Sequence, residues 1–277
     1  MRRSLGVVAG LSLVLACGGP NAASPTTASP TIASPTGLSG IRWSETAAPP
    51  GVDVPGAQWL KIEGAGGKNN SVQIAAVLRP PGPGPAPLVV WLHGAGPGFV
   101  ADEVSAATHL LAGGFIVLAG CWMVSSAEPV IRDGISLPRV PCLQNYASAD
   151  DAIQALVDVG QQLPGVKKGP IGLFGVSFGG PQAIHYAGIS STIGAVVLDS
   201  SPRGQTKVSV PVLMLVGTAD SLVSADEQRT YEQALRGSGA VVESHYYEGG
   251  MHALSVHGDF QEDAFKRTID FYQRYLK

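Results

Sequence analysis

Apolar positions divide the chain into three stretches of different character. Leu5 to Ala16 is one apolar run behind the basic start Arg2-Arg3. From residue 18 to 40 large apolar side chains are almost absent. From Trp59 onward, short apolar runs alternate with segments of helical spacing. Trp59 to Glu63 and Val72 to Leu78 read as strands, and Gly64-Ala65-Gly66-Gly67-Lys68-Asn69-Asn70 between them is hairpin punctuation. Leu88 to Leu92, Phe115 to Ala119, Ile171 to Phe174, Ile193 to Leu198, Val212 to Val216 and Val242 to Tyr247 read as further strands. Continuous apolar runs such as Leu88 to Leu92 fit strands buried on both faces. Helical spacing covers Glu103 to Leu111, Ala147 to Leu163, Phe178 to Ala187, Ser224 to Leu235 and Asp259 to Leu276. Strands alternating with helices predict an α/β domain, its mostly parallel sheet covered on both faces. Chemistry in such sheets gathers at the carboxyl ends of the strands. Cys121 to Gln144 has no period and reads as a long surface loop, with Glu128, Arg132, Asp133 and Arg139 solvated.

The first stretch changes where this domain is expected to work. A membrane-spanning helix needs about 20 apolar residues, and Leu5 to Ala16 is shorter. A basic start, a short apolar run and a small residue read as an export signal over residues 1–16. Leu13-Val14-Leu15-Ala16-Cys17 resembles the lipobox of bacterial lipoproteins, which implies lipidation of Cys17. Residues 17–40 carry Ser-Pro-Thr three times, at Ser24, Ser29 and Ser34, and no charge. Such a segment cannot bury enough surface to order itself and reads as a tether. Residues 41–277 then form the domain, extracytoplasmic and lipid-anchored to a membrane, or secreted. Cys121 and Cys142 remain as an even pair, and an oxidising compartment favours a disulfide between them over two buried thiols. They lack the partners of a zinc site, so no metal is expected.

Composition excludes other classes. The chain has 277 residues, 18 Lys plus Arg and 21 Asp plus Glu, for a net charge of -3. No basic stripe marks a nucleic-acid binder. At 45% hydrophobic, the chain can bury one sizeable core, and 36 Gly and 21 Pro imply many turns. One folded domain, acting as a monomer, is the expectation.

Candidate chemistry centres on Gly175-Val176-Ser177-Phe178-Gly179. It follows a buried strand and precedes a helix, the context of a nucleophile elbow. Strand and helix pass close there, so Gly175 and Gly179 must be small, and Gly180 adds room. A Ser hydroxyl needs a base. His252 follows the Val242 to Tyr247 strand, and Asp220 follows the Val212 to Val216 strand. Their order, Ser then acid then His, is that of the elbow enzymes. Asp199 also ends a strand and stands as the alternative acid. His245 lies within a strand and His185 on the helix after the elbow, both structural, His257 lies near the last helix, and Asp226 reads as a solvated helix residue. Two backbone N–H groups are needed for an oxyanion. Phe178, directly after the nucleophile, and Ala95, in the loop His93-Gly94-Ala95, are the candidates. His93 reads as a brace for that loop.

From about Trp59 to Lys277 the chain resembles the α/β-hydrolase superfamily. Gly175-Val176-Ser177-Phe178-Gly179-Gly180, Val216-Gly217-Thr218-Ala219-Asp220 and Gly250-Met251-His252 look like its dienelactone hydrolase and acyl-CoA thioesterase branch. The resemblance implies an eight-stranded, mostly parallel sheet. It also implies ester or thioester hydrolysis through an acyl-enzyme, without a cofactor. Dienelactone hydrolases proper carry Cys where this chain carries Ser177, so a general carboxylesterase acting on a small ester is expected rather than a dienelactone enzyme. Two other readings stay open: a peptidase or polyester hydrolase with the same residues, and a lipid-anchored binding protein on an idle hydrolase fold.

Overall fold

Trp91, Phe174 and Phe265 stack in the middle of the molecule, the first two rings with centroids 4.2 Å apart and almost parallel. The computed structural model describes residues 40–277 apart from 51, 65–69, 96–100, 124–129, 133–134, 138–142 and 147. The expected leader, Cys17, most of the tether and Cys142 lie outside the described residues. No described helix is long and apolar enough to cross a membrane.

The strands are β1 (Arg42–Thr46), β2 (Gln58–Glu63), β3 (Val72–Leu78), β4 (Leu88–Leu92), β5 (Ile116–Gly120), β6 (Val130–Arg132), β7 (Ile135–Leu137), β8 (Leu143–Gln144), β9 (Ile171–Val176), β10 (Ile193–Asp199), β11 (Val212–Gly217) and β12 (Val242–Tyr247). The helices are α1 (Ala101–Ala107), α2 (Ala149–Gln162), α3 (Gly179–Ile189), α4 (Ala225–Gly237) and α5 (Gln261–Tyr275), with a 3-10 segment at Thr108–Gly113. The main sheet runs β1-β2-β3-β5-β4-β9-β10-β11-β12, and β8 pairs with β3. β5, β4 and β9 to β12 are parallel, while β1, β2, β3 and β8 pair antiparallel.

The sheet has ten strands rather than the eight expected. The expected eight form its continuous body from β2 to β12. β1 escapes apolar pattern reading because only Trp43 of its five residues is buried. β8 is two residues long. The stretch from Cys121 to Gln144 is also more than a loop, since β6 and β7 pair as a separate two-stranded sheet.

Both faces of the sheet are covered, and alternation along two strands says by what. On β9, a Cβ at Gly175 would strike the backbone of α3, whereas one at Gly172 would strike Tyr272 of α5. On β4, Leu88 lies against Gly160 of α2, whereas Trp91 stacks towards Phe265 of α5. Residues three apart on a strand point to opposite faces. α2 and α3 therefore cover one face and α5 the other. All residues of β4, β5, β9 and β11 are buried, as strands covered on both sides require. Ser148 caps α2 by accepting from the Asp151 N–H, and Ser224 with Glu227 forms a capping box on α4.

Candidate active site

β9 ends at Val176 and α3 begins at Gly179, so the chain reverses within two residues. Ser177 takes the turn with φ of 48°, a left-handed conformation that disfavours any side chain. Such a residue costs on the order of 1–2 kcal/mol and persists only where its surroundings hold it. Its N–H donates to the Asp199 carbonyl at 2.8 Å, and its carbonyl accepts from the Gly180 N–H at 2.9 Å. A Cβ at Gly175 would lie 2.5 Å from the Gly179 carbonyl oxygen, and one at Gly179 would lie 2.2 Å from that of Leu92. Both positions therefore demand glycine, for the reason expected from the motif.

Asp220 stands three residues beyond β11, and His252 five beyond β12. Their two loops are drawn together at Gly217, where a Cβ would lie 2.4 Å from the Gly250 carbonyl oxygen. The Thr218 N–H donates to Tyr247 O and the Ala219 N–H to Gly250 O, each at 2.9 Å. His252 Nδ1 then reaches Asp220 Oδ2 at 2.7 Å, and Nε2 reaches Ser177 Oγ at 2.9 Å. A carboxylate only accepts, so Nδ1 carries the proton and Nε2 accepts from the Ser177 hydroxyl. Asp220 Oδ1 accepts from the N–H groups of Leu222 and Val223 at 2.8 and 3.0 Å. The Asp220 side chain is buried, and that of His252 is partly open to solvent.

The loop after β4 passes beside the nucleophile. A Cβ at Gly94 would lie 3.3 Å from Ser177 Cβ. The Gly94 N–H is taken by the Glu103 carboxylate, 3.3 Å from each oxygen, and Trp91 Nε1 donates to the same group. Ala95 is the next residue and is exposed. Phe178 lies at the start of α3, where helix N–H groups lack intrahelical acceptors. His93 is buried, with Nδ1 2.8 Å from the Gly94 carbonyl oxygen and the Trp122 ring tilted against it. The Trp122 indole donates to the His93 carbonyl at 3.0 Å. Burial lowers the His93 pKa to about 4, so the ring is neutral near neutral pH.

The rival residues lie in other contacts. Asp199 is fully buried and holds the loop after His252 through Ser255. Burial raises its pKa, against the hydrogen bonds from Ser255 and Ser200 and the nearby His252. His185 Nε2 lies 3.2 Å from Asp150, and His245 Nε2 lies 3.8 Å from Asp263. Asp226 is exposed and pairs with Arg229. Cys121 is fully buried just after β5 and is not free, while its expected partner Cys142 lies outside the described residues. Among the described residues no three His, Cys, Asp or Glu converge on a point that could hold a metal.

Three contributors were not foreseen from sequence: Glu103, Ser200 and Ser255. The only local hint is that Glu103 lies in the first turn of a helix after a strand-end loop, where an acidic side chain can reach free N–H groups.

A mostly parallel sheet with a sharp strand-to-helix turn at Ser177 defines the α/β-hydrolase class. Residues 74–276 match the model of the dienelactone hydrolase family, and the chain belongs to that family. It is an enzyme of the hydrolase kind. No curated protein matches the chain. Among solved structures, an esterase from Pyrococcus furiosus has a TM-score of 0.60 at 16% identity, over 91% of this chain and 100% of that one. An esterase from Thermogutta terrifontis has a TM-score of 0.57 at 17% identity, over 79% of this chain and 91% of that one. The acylaminoacyl peptidase of Pyrococcus horikoshii has a TM-score of 0.56 at 16% identity, over 74% of this chain. The chain spans only 40% of that peptidase. At these identities the likeness is one of fold.

Proposed function

We propose that this hydrolase is a serine esterase that cleaves carboxylic ester or thioester bonds through an acyl-enzyme. One observation carries the reading: Ser177 Oγ, His252 and Asp220 form an unbroken hydrogen-bonded chain with steps of 2.9 and 2.7 Å. His252 Nε2 takes the Ser177 proton as Oγ attacks the carbonyl carbon. Asp220 holds the tautomer and stabilises the imidazolium. The N–H groups of Phe178 and Ala95 receive the oxyanion. His252 then gives the proton to the leaving alcohol or thiol, and water, activated in turn by His252, releases the acid and restores Ser177.

The surroundings favour an apolar substrate. Phe178, Leu222 and Met251 are 53%, 73% and 68% exposed, and each lies one or two residues from a member of the chain of three. Phe178 and Leu222 also line a cavity of about 600 Å³, with Pro202 and Val223 and with the polar Arg203, Asp226, Glu227 and Thr230. Exposed large apolar side chains gathered in one place mark binding surface. Esters with an apolar acyl or alcohol group fit this rim.

Labelling by a fluorophosphonate probe tests the nucleophile. The wild type should label, and Ser177→Ala should not. A folded wild type that does not label favours the binding-protein reading, and labelling that persists in Ser177→Ala removes Ser177. A series of p-nitrophenyl esters tests the rim: kcat/KM should rise from acetyl to longer acyl chains, and a fall would remove the apolar assignment. Peptide amides cleaved faster than any ester would favour a peptidase.

The remaining proposals concern location and are carried by sequence. Residues 1–16 direct export, Cys17 is lipidated, and 17–40 tether a monomeric domain outside the cytoplasm. A Cys17→Ser chain that still partitions into detergent like the parent would remove the anchor. Cys121 and Cys142 form a disulfide, so neither thiol should titrate in the unfolded, unreduced protein.

A further inference from the structure

Asp199 is a fully buried carboxylate that the mechanism above does not use. It ends β10, which lies between β9, leading to Ser177, and β11, leading to Asp220. A buried carboxylate is costly unless its oxygens are hydrogen-bonded. Here most donors come from one place. The Leu254 and Ser255 N–H groups donate at 3.2 and 2.8 Å, and the Ser255 hydroxyl joins them. The Ser200 hydroxyl donates to Oδ1 at 2.9 Å and itself accepts from the Ala253 N–H at 2.9 Å. Three consecutive N–H groups, those directly after His252, therefore end on the Asp199–Ser200 pair. The Asp199 carbonyl meanwhile accepts the Ser177 N–H at 2.8 Å.

Backbone strain converges on the same spot. Among the described residues, non-glycine positive φ occurs at Ser177, Ser200, Ala253 and Asn145. The first three, at 48°, 49° and 59°, are joined through the bonds just given. Unfavourable conformations of this kind need an external hold. Consecutive N–H groups turned towards one anion form a concave nest, and Asp199 supplies the anion from within the chain.

We propose that Asp199, acting with Ser200, is a positioning residue. It fixes the His252 loop against the Ser177 turn, so that Nε2 meets Oγ at reacting distance. Asp199 touches no reacting atom. The proposal rests on the esterase reading above. A buried polar filler would affect stability alone, whereas a positioning residue must change turnover in the folded enzyme.

Asp199→Asn replaces an acceptor by an amide that donates into the same N–H groups, at almost unchanged volume. In the folded variant kcat should fall about 10- to 100-fold, the scale of a displacement near 1 Å, with KM within about twofold. Fluorophosphonate labelling should slow by the same factor. A folded variant with wild-type kcat and labelling rate overturns the proposal. If Asp199→Asn does not fold, Ser200→Ala decides. It removes the acceptor of the Ala253 N–H and one donor to Asp199, and should lower kcat and the labelling rate several-fold, and unchanged values overturn the proposal. A wild type that does not label overturns the esterase reading and this one together. A labelling wild type beside an unaffected, folded Asp199→Asn removes the positioning role alone.

Discussion

Asp220→Asn should abolish nearly all turnover by reversing one proton, and the local hydrogen bonds say why. Asp220 Oδ1 is held by the Leu222 and Val223 N–H groups. An Asn here must keep its amide oxygen on those two donors, because turning it would set its NH2 against both. The NH2 is then directed at His252 Nδ1, where the carboxylate oxygen had been at 2.7 Å. Two donors cannot share that contact, so Nδ1 gives up its proton and the imidazole takes it on Nε2. Nε2 then donates to Ser177 Oγ, 2.9 Å away, and cannot take the hydroxyl proton. An imposed wrong tautomer costs about 10⁴ in kcat in a serine protease, roughly 5 kcal/mol of barrier. The volume change is negligible, so the melting temperature should stay near that of the wild type. The assay is steady-state ester hydrolysis with thermal melts on the same preparation. A folded Asp220→Asn that keeps more than about a tenth of wild-type kcat would refute the reasoning, since no tautomer switch of this kind is so mild.

Three further outcomes follow from geometry at single positions. Gly179→Ala puts a Cβ 2.2 Å from the Leu92 carbonyl oxygen and 2.8 Å from that of His93, so α3 must shift from β4. Overpacking of this kind costs about 1–3 kcal/mol, visible as a melting temperature several degrees lower, and an unchanged melt would contradict it. His93 has its pKa lowered from 6.5 to about 4 by burial, so the unfolded chain takes up a proton first as pH falls. Its contribution, fully present above pH 6.5, is lost on acidification towards pH 4 and amounts to about 3 kcal/mol. Urea unfolding at several pH values should show a shallower loss in His93→Gln, and equal slopes would remove the assignment. Ser224→Ala deletes the α4 capping box and should lower stability by about 1 kcal/mol in chemical denaturation.

Legibility of the fold followed burial. Strands β4, β5, β9 and β11 are buried throughout and stand out as apolar runs. β1 does not, because a strand on the sheet edge exposes Arg42, Ser44, Glu45 and Thr46 and buries Trp43 alone. β8 is too short to show a period, and β6 and β7 are three residues each. Helical spacing runs unbroken from Glu103 to Leu111, but the chain there divides into α1 and a 3-10 segment, ended by Gly114 at φ of 78°. Local hydrogen-bond register of that kind leaves no mark in the spacing of apolar residues.

The two candidate acids show where sequence reading of the site stops. Both follow a parallel strand, and position alone makes them rivals. Their roles diverge through chain length beyond the sheet. Asp199 is the last residue of β10, so its main chain still belongs to the sheet and its carboxylate stays inside, 0% exposed. There it meets the Leu254 and Ser255 N–H groups and the Ser200 and Ser255 hydroxyls. Asp220 lies three residues past Gly217, and the turn through Thr218 and Ala219 brings its carboxylate to His252 Nδ1. The two carboxylates therefore meet one imidazole through different contacts, Asp220 at its ring and Asp199 at the chain that carries it.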